Sequence, residues 1–177
     1  MDILKRDEAI PVSYPPVPSG LSAAAAALDP AMIWSRIEAY IAYRWTARAV
    51  IWTIEGPGEW TPDLTPVTVS ATEIWQADTW TAETLTAGPL GGFVLDGEGP
   101  YRITASAGSG TVPAEVNEAF RRLAEYMADD AETPAGASAY TVNLGPIDLA
   151  TTRNPAWLAR AMINSGAGDL LRRYRRT

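Results

Sequence analysis

A chain of 177 residues is long enough for one well-buried domain or two small ones, and the usual domain size favours one. It contains no cysteine and no histidine, which excludes a disulfide framework, a Cys/His zinc site, a cysteine nucleophile and a histidine base. A hydrophobic share of 47% with 20% charged residues is ordinary for a globular protein and argues against wholesale disorder, while the net charge of −7 argues against a surface built throughout for nucleic acid.

The first 28 residues carry no positive leader. Asp2, Asp7 and Glu8 precede a stretch interrupted by Pro11, Pro15, Pro16 and Pro18, and the only apolar run, Leu21 to Leu28, is built on five alanines. A secretory signal needs a positive start and a more hydrophobic centre, so a cytoplasmic location is expected. The Pro11 to Pro18 stretch reads as an extended arm of polyproline character, lying on a neighbouring surface or disordered.

Asp29-Pro30, a capping residue followed by proline at the first helical position, opens a helix predicted to run to about Arg44. Ile33, Ile37 and Ile41 make its buried stripe, with Trp34 and Tyr40 beside it. From Ala49 the period falls to two, and Val50, Trp52 and Ile54 define a strand that ends at Gly56-Pro57-Gly58. Between Trp60 and Gly110 the chain is rich in threonine, valine and tryptophan and reads as an antiparallel sheet. Its predicted strands are Val67 to Ile74, Thr79 to Thr86, Phe93 to Leu95 and Tyr101 to Ala105.

A second helix is predicted from Pro113 to Ala131, with Val116, Phe120, Leu123 and Met127 on one face and Glu115, Glu118, Arg122 and Glu125 on the other. Its apolar face complements that of the first helix. Asp129 to Ser138 reads as a linker. Asn154-Pro155 opens a third predicted helix that ends near Ser165-Gly166, leaving Gly168 to Thr177 as a short helix or tail with apolar contacts at Leu170, Leu171 and Tyr174. The fold class expected is therefore α+β: a small helical bundle of the first two helices with an antiparallel sheet inserted between them, and a C-terminal helix plus extended tail.

Chemistry-bearing patterns are sparse. Gly108-Ser109-Gly110 precedes a helix, yet Pro113 completes neither glycine-rich phosphate motif, so a turn is the better account. Asp96 with Glu98, and Asp129 with Asp130, are the obvious carboxylate pairs, and both fall where solvated acids are common. No enzyme, cofactor or metal is expected: catalytic, cofactor-binding and metal-ligating residues are all assigned as none. No apolar run approaches the roughly 20 residues that span a bilayer, so no membrane partner is expected either.

Two features point to partners instead. From Arg153 onward there are six arginines (Arg153, Arg160, Arg172, Arg173, Arg175, Arg176) against one acid, Asp169, so a basic end follows an acidic body. A partner-directed tail and a solvated helix end both fit that asymmetry. Seven tryptophans, Trp34, Trp45, Trp52, Trp60, Trp75, Trp80 and Trp157, outnumber two phenylalanines. Such rings suit cores, protein interfaces and carbohydrate-stacking platforms. Trp34, Trp52, Trp75 and Trp80 are taken as candidates for a subunit interface.

Two stretches carry a family likeness. Ile37-Glu38-Ala39-Tyr40 leads from a helix toward a tryptophan-containing strand, and Tyr101-Arg102-Ile103-Thr104 is followed by Ala107-Gly108, Gly110, Val112-Pro113 and a helix through Ala119 and Leu123. Over about residues 28–130 the chain resembles the head-tail connector, or adaptor, proteins of long-tailed bacteriophages, especially the form in gene transfer agent particles.

The resemblance implies a connector core at 29–131, preceded by an arm with an Ala-rich segment (1–28) and followed by a linker, C-terminal helix and basic tail (132–177). It implies a homo-oligomeric ring, generally a dodecamer, that binds a portal protein on one side and a stopper or tail-ward protein on the other. Double-stranded DNA would pass through its channel without specific binding. The protein would be cytoplasmic during assembly and then part of the particle neck. The portal-binding residues expected are Leu170, Leu171, Arg172, Arg173, Tyr174, Arg175 and Arg176. A tryptophan-rich carbohydrate-binding or other interaction module is the alternative.

Overall fold

The computed structural model describes residues 1–129, 139–144, 147–152 and 157–175. Its elements, in chain order, are β1 (Asp2–Glu8), α1 (Ala23–Ala26), α2 (Pro30–Tyr40), β2 (Arg48–Glu55), β3 (Gly58–Trp60), β4 (Val67–Gln76), β5 (Thr79–Ala82), β6 (Thr86–Ala87), β7 (Phe93–Leu95), β8 (Tyr101–Ala107), α3 (Ala114–Ala128), β9 (Ala139–Leu144), β10 (Ile147–Thr152), α4 (Ala161–Asn164) and α5 (Ala167–Leu170), with a final 3-10 turn at Arg172–Tyr174. The chain divides into two compact units rather than one domain. Residues 1–15 and 42–111 form a β unit, and residues 16–41 and 112–175 form a second, largely helical one.

In the β unit a five-stranded antiparallel sheet runs in the order β1-β2-β8-β4-β5, and a three-stranded sheet in the order β3-β7-β6. Period-two alternation builds the core. Val50, Trp52 and Ile54 from β2 and Tyr101, Ile103, Ala105 and Ala107 from β8 point to one side, where Trp60 of β3, Leu95 of β7 and Leu64 close over them. Trp52 and Trp60 meet edge to face, with centroids 5.4 Å apart. The opposite face of the large sheet carries Thr53, Arg102, Thr104, Glu73 and Trp75 and is open to solvent in part or in full.

A glycine turn joins β8 to the segment leading to α3. Gly108 has φ of +106°, and its N–H donates to Pro66 O at 2.9 Å. A Cβ there would lie 2.3 Å from the backbone oxygen of Thr46, so both conformation and space demand glycine.

In the second unit α3 is the hub, packing against α1, α2, α4 and α5. Val116, Ala119, Phe120, Leu123, Ala124 and Ala128 are its buried residues, and the small alanines let neighbours approach closely. Met127, expected in that stripe, is half-buried. α2 begins as predicted, with the Asp29 carboxylate accepting from Ala31 N–H at 2.9 Å, a cap of a kind worth about 1 kcal/mol. α1 is a single alanine turn. Ser22 caps it and is itself fixed by Glu125 of α3, which accepts from Ser22 N–H and Oγ, both at 2.7 Å. β9 and β10 form an antiparallel two-stranded ribbon.

The expected helical bundle with an inserted sheet is overturned. Strands dominate the described residues, ten of them in three antiparallel sheets, and only α2 and α3 exceed one helical turn. The α+β description fits only in part: the helices gather in one compact unit and the two larger antiparallel sheets in the other.

Of the third predicted helix only a last turn, α4, is found among the described residues, and it stops at Asn164, next to the predicted end. Ile147–Thr152 is a strand, residues 157–160 form turns, and Gly166, at φ +74°, separates α4 from α5. Asn154-Pro155 and residues 130–138 of the predicted linker lie outside the described residues. No extended tail is seen through residue 175, because Ala167, Gly168 and Leu171 are buried. α2 also stops at Tyr40 instead of Arg44, since Thr65 N–H donates to Ala42 O and Arg44 N–H donates to Thr65 O, committing that stretch to the β unit.

Candidate functional site

The predicted portal-binding segment is ordered by its own unit. Leu171 is fully buried and Leu170 half-buried, so they anchor the segment inward. Tyr174 Oη donates to Glu115 Oε1 at 2.8 Å, and Arg173 Nη2 lies 3.1 Å from the same oxygen. Glu115 sits in the first turn of α3. Its own backbone N–H, then the Tyr174 hydroxyl and the Arg173 charge, hold its carboxyl below the usual range, whereas burial and the Glu115 contact push the Tyr174 hydroxyl up.

The arginines point outward from this frame. Arg172 is paired with Asp169 at 3.1 Å, with both side chains highly exposed. The Arg173 guanidinium stacks on Tyr174, 4.8 Å from the ring centre, and that of Arg175 on Tyr40 at 4.7 Å. Arg176 lies outside the described residues. The roles expected for the segment therefore divide: Leu171 and Tyr174 bind it to its own unit, while Arg172, Arg173 and Arg175 form the outward group.

The tryptophan candidates separate as sharply. Trp34 and Trp52 are fully buried, Trp34 against Phe120 at 4.9 Å and Trp52 donating from Nε1 to Asp63 at 2.7 Å, so neither offers a surface to a partner. Trp75 is 40% exposed and Trp80 half-buried. They face each other across β4 and β5 with centroids 5.3 Å apart and planes at 63°. Arg102 stacks on Trp80 at 4.5 Å while gripping Glu73 through two hydrogen bonds of 2.6 and 2.7 Å. That bond draws the Glu73 carboxyl below its usual range and raises Arg102. Two rings set edge to face, one of them covered by a guanidinium, make no flat sugar-stacking platform, which counts against a carbohydrate module.

One constellation is invisible in the sequence. Glu8, at the end of β1, accepts from Arg44 Nε at 2.6 Å and from Arg48 Nη1 at 3.4 Å, and both arginines are buried. Arg48 also lies over the Tyr14 ring, 5.9 Å from its centre. Arg6 of the same strand pairs with Asp63, the acceptor of Trp52. These ties fix β1 to the β unit. A run such as Asp-Ile-Leu-Lys-Arg-Asp-Glu has no apolar alternation to announce a strand, and nothing in it marks Glu8 as the partner of two distant arginines.

Among the described residues no group of three or more His, Cys, Asp or Glu side chains could hold a metal ion, and no helix is long and apolar enough to cross a membrane. Asp96 and Glu98 fall in the connection between β7 and β8, where Glu98 O accepts from Gly56 N–H at 2.7 Å. Compared with known protein families, the chain matches no family model, and no curated protein matches it.

Proposed function

We propose that the protein is a structural head-tail adaptor of a phage-like particle, without catalytic activity, assembled as a ring that joins a portal protein to the stopper or tail-ward component and lines the channel for double-stranded DNA. In this reading it gathers in the cytoplasm during assembly and ends in the particle neck. One observation carries the portal contact: Arg172, Arg173 and Arg175 stand on a segment already fixed by buried Leu171 and by the Tyr174–Glu115 bond. Guanidiniums presented on a pre-ordered frame lose little entropy on docking and match carboxylates bidentately. The acidic balance of residues 1–15 and 42–111 suits a wall past which DNA slides, because phosphate contacts are what make DNA adhere.

Deleting the last ten residues would remove buried Gly168 and Leu171 and confuse folding with docking. Charge neutralisation is cleaner, because it sets no carboxylate against Asp169 or Glu115. The triple variant R172Q/R173Q/R175Q is expected to weaken the portal complex in solution by at least about tenfold, equivalent to ~1.4 kcal/mol, with an unchanged far-UV circular dichroism spectrum. Portal binding at wild-type strength would remove the basis of the docking assignment.

A further inference from the structure

We propose that the two edges of the five-stranded sheet, β1 and β5, are the two halves of a head-to-tail contact in which β5 of one copy pairs with β1 of the next. The proposal rests on the ring reading above and names the surface that would close the ring.

The two edges are protected unequally. β1 carries Lys5, Arg6, Asp7 and Glu8, with a Lys5–Asp7 ion pair of 2.6 Å and a register shift between Ile3 and Lys5. Charges and irregularities of this kind normally discourage pairing with a wrong partner. β5 is Thr-Trp-Thr-Ala, with no charge, no proline and no bulge, and its threonines and tryptophan favour strands. The chain from Thr79 runs directly on to β6, the edge of the second sheet, with every residue from Thr81 to Thr84 exposed. An unguarded edge is a hazard unless the working assembly covers it.

Backbone geometry gives each edge matching groups. Glu83 N–H donates inward to Thr72 O at 2.9 Å, so alternation turns the N–H and C=O of Trp80 and Ala82 outward. Ala9 N–H donates inward to Ala49 O at 2.9 Å, which by the same alternation turns those of Arg6 and Glu8 outward. Each edge therefore offers two residues, spaced two apart, with open donors and acceptors.

Topology supplies the direction. Five strands that alternate in direction leave both edge strands running the same way. The small rotation between neighbours in a many-membered ring largely keeps that direction, so β1 of a neighbour arrives roughly parallel to β5 and continues the sheet. A heterologous contact of this sort closes a ring when the rotation from copy to copy returns to the first, and otherwise runs on as a filament.

Charge selects this pairing over β5 with β5. Asp78 and Glu83 bracket β5, and an antiparallel β5–β5 pair would bring these like charges toward each other. β1, where Lys5 and Arg6 are balanced by Asp7 and Glu8, sets no such row of like charges against them.

Two arms test this on the full chain, first confirming that the wild type forms rings. Ala82→Pro removes one outward N–H without touching a bond to β4, and it is expected to convert rings to monomers with an unchanged far-UV circular dichroism spectrum. The native chain has no cysteine, so single cysteines report contacts directly. Ala82→Cys mixed with Lys5→Cys or Asp7→Cys, all on the solvent face of the sheet, is expected to give a disulfide-linked heterodimer on mild oxidation, while Ala82→Cys alone gives none. This arm decides the matter if the proline variant fails to fold. Rings that persist in Ala82→Pro, or self-linking of Ala82→Cys, overturn the edge pairing and leave the ring reading standing. A wild type that is monomeric at every concentration overturns both.

Discussion

Trp52 and Trp60 show how two identical side chains in one core differ in energetic role. Both are buried and touch each other, yet Trp52 Nε1 donates to Asp63, whereas Trp60 Nε1 has no hydrogen-bond partner among the described residues. A buried donor without an acceptor is a cost the fold carries, and a donor serving a carboxylate is a gain. Replacing each by phenylalanine removes similar volume, so the difference isolates the polar atom. Trp52→Phe is expected to lower stability by about 1–2 kcal/mol more than Trp60→Phe in urea unfolding. Equal losses, or a larger loss at Trp60, would contradict this assignment. The sequence did not show which tryptophans would be buried, because Trp52 and Trp75 both sit in alternating strands of one sheet and only the register of those strands sets the first on its core face and the second on its solvent face.

Among elements, those with a strong local signal appeared where the sequence put them. Asp29-Pro30 fixes the start of α2, alternation fixes β2, and the β7 boundaries match the prediction. The misses share a cause. β1, β9 and β10 are held by partners distant in sequence or by one another, and α1 depends on the Ser22–Glu125 contact, since a single alanine turn cannot pass the nucleation cost alone. Gly108 is a case in which local and distant demands coincide. Its turn was legible, and the contact with Thr46 that forbids any side chain was not. Gly108→Ala is expected to cost about 2–3 kcal/mol, combining a positive φ with a backbone overlap, and thermal unfolding would register it. A shift in melting temperature no greater than that of an exposed substitution would mean the turn relaxes freely.

For the molecule as a whole, the sequence overweighted helix because helical periodicity advertises itself in one segment, whereas a sheet is assembled from short strands whose pairing no single segment encodes. The candidate surfaces followed the same rule: the arginines of the C-terminal segment were legible as composition, but their anchoring on Glu115 and Tyr40 was not.

Charge then sets a property of the entire chain. Glu73, Glu115, Glu118 and Glu125 all have carboxyls held below their usual range. The causes are Arg102 for Glu73, the backbone N–H and Tyr174 for Glu115, Arg122 for Glu118, and the Ser22 N–H and Oγ for Glu125. A carboxyl depressed in the folded state binds its proton less readily there than in the unfolded chain. Its stabilisation is therefore complete above the ordinary carboxylate range of about 4.3 and is lost as pH falls through the lower, folded value. The urea midpoint is expected to hold near neutrality and to drop as the solution is taken below about pH 4. Salt divides the causes: the exposed pair of Glu118 with Arg122 is screened at about 1 M and the half-buried pair of Glu73 with Arg102 less so, while the short hydrogen bonds from Ser22 to Glu125 do not depend on an ion pair. The acid drop is thus expected to shrink in high salt without vanishing, and E125Q is expected to shrink what remains. A midpoint that rises on acidification would reverse the sign and show that these carboxylates are not the groups whose protonation governs the fold.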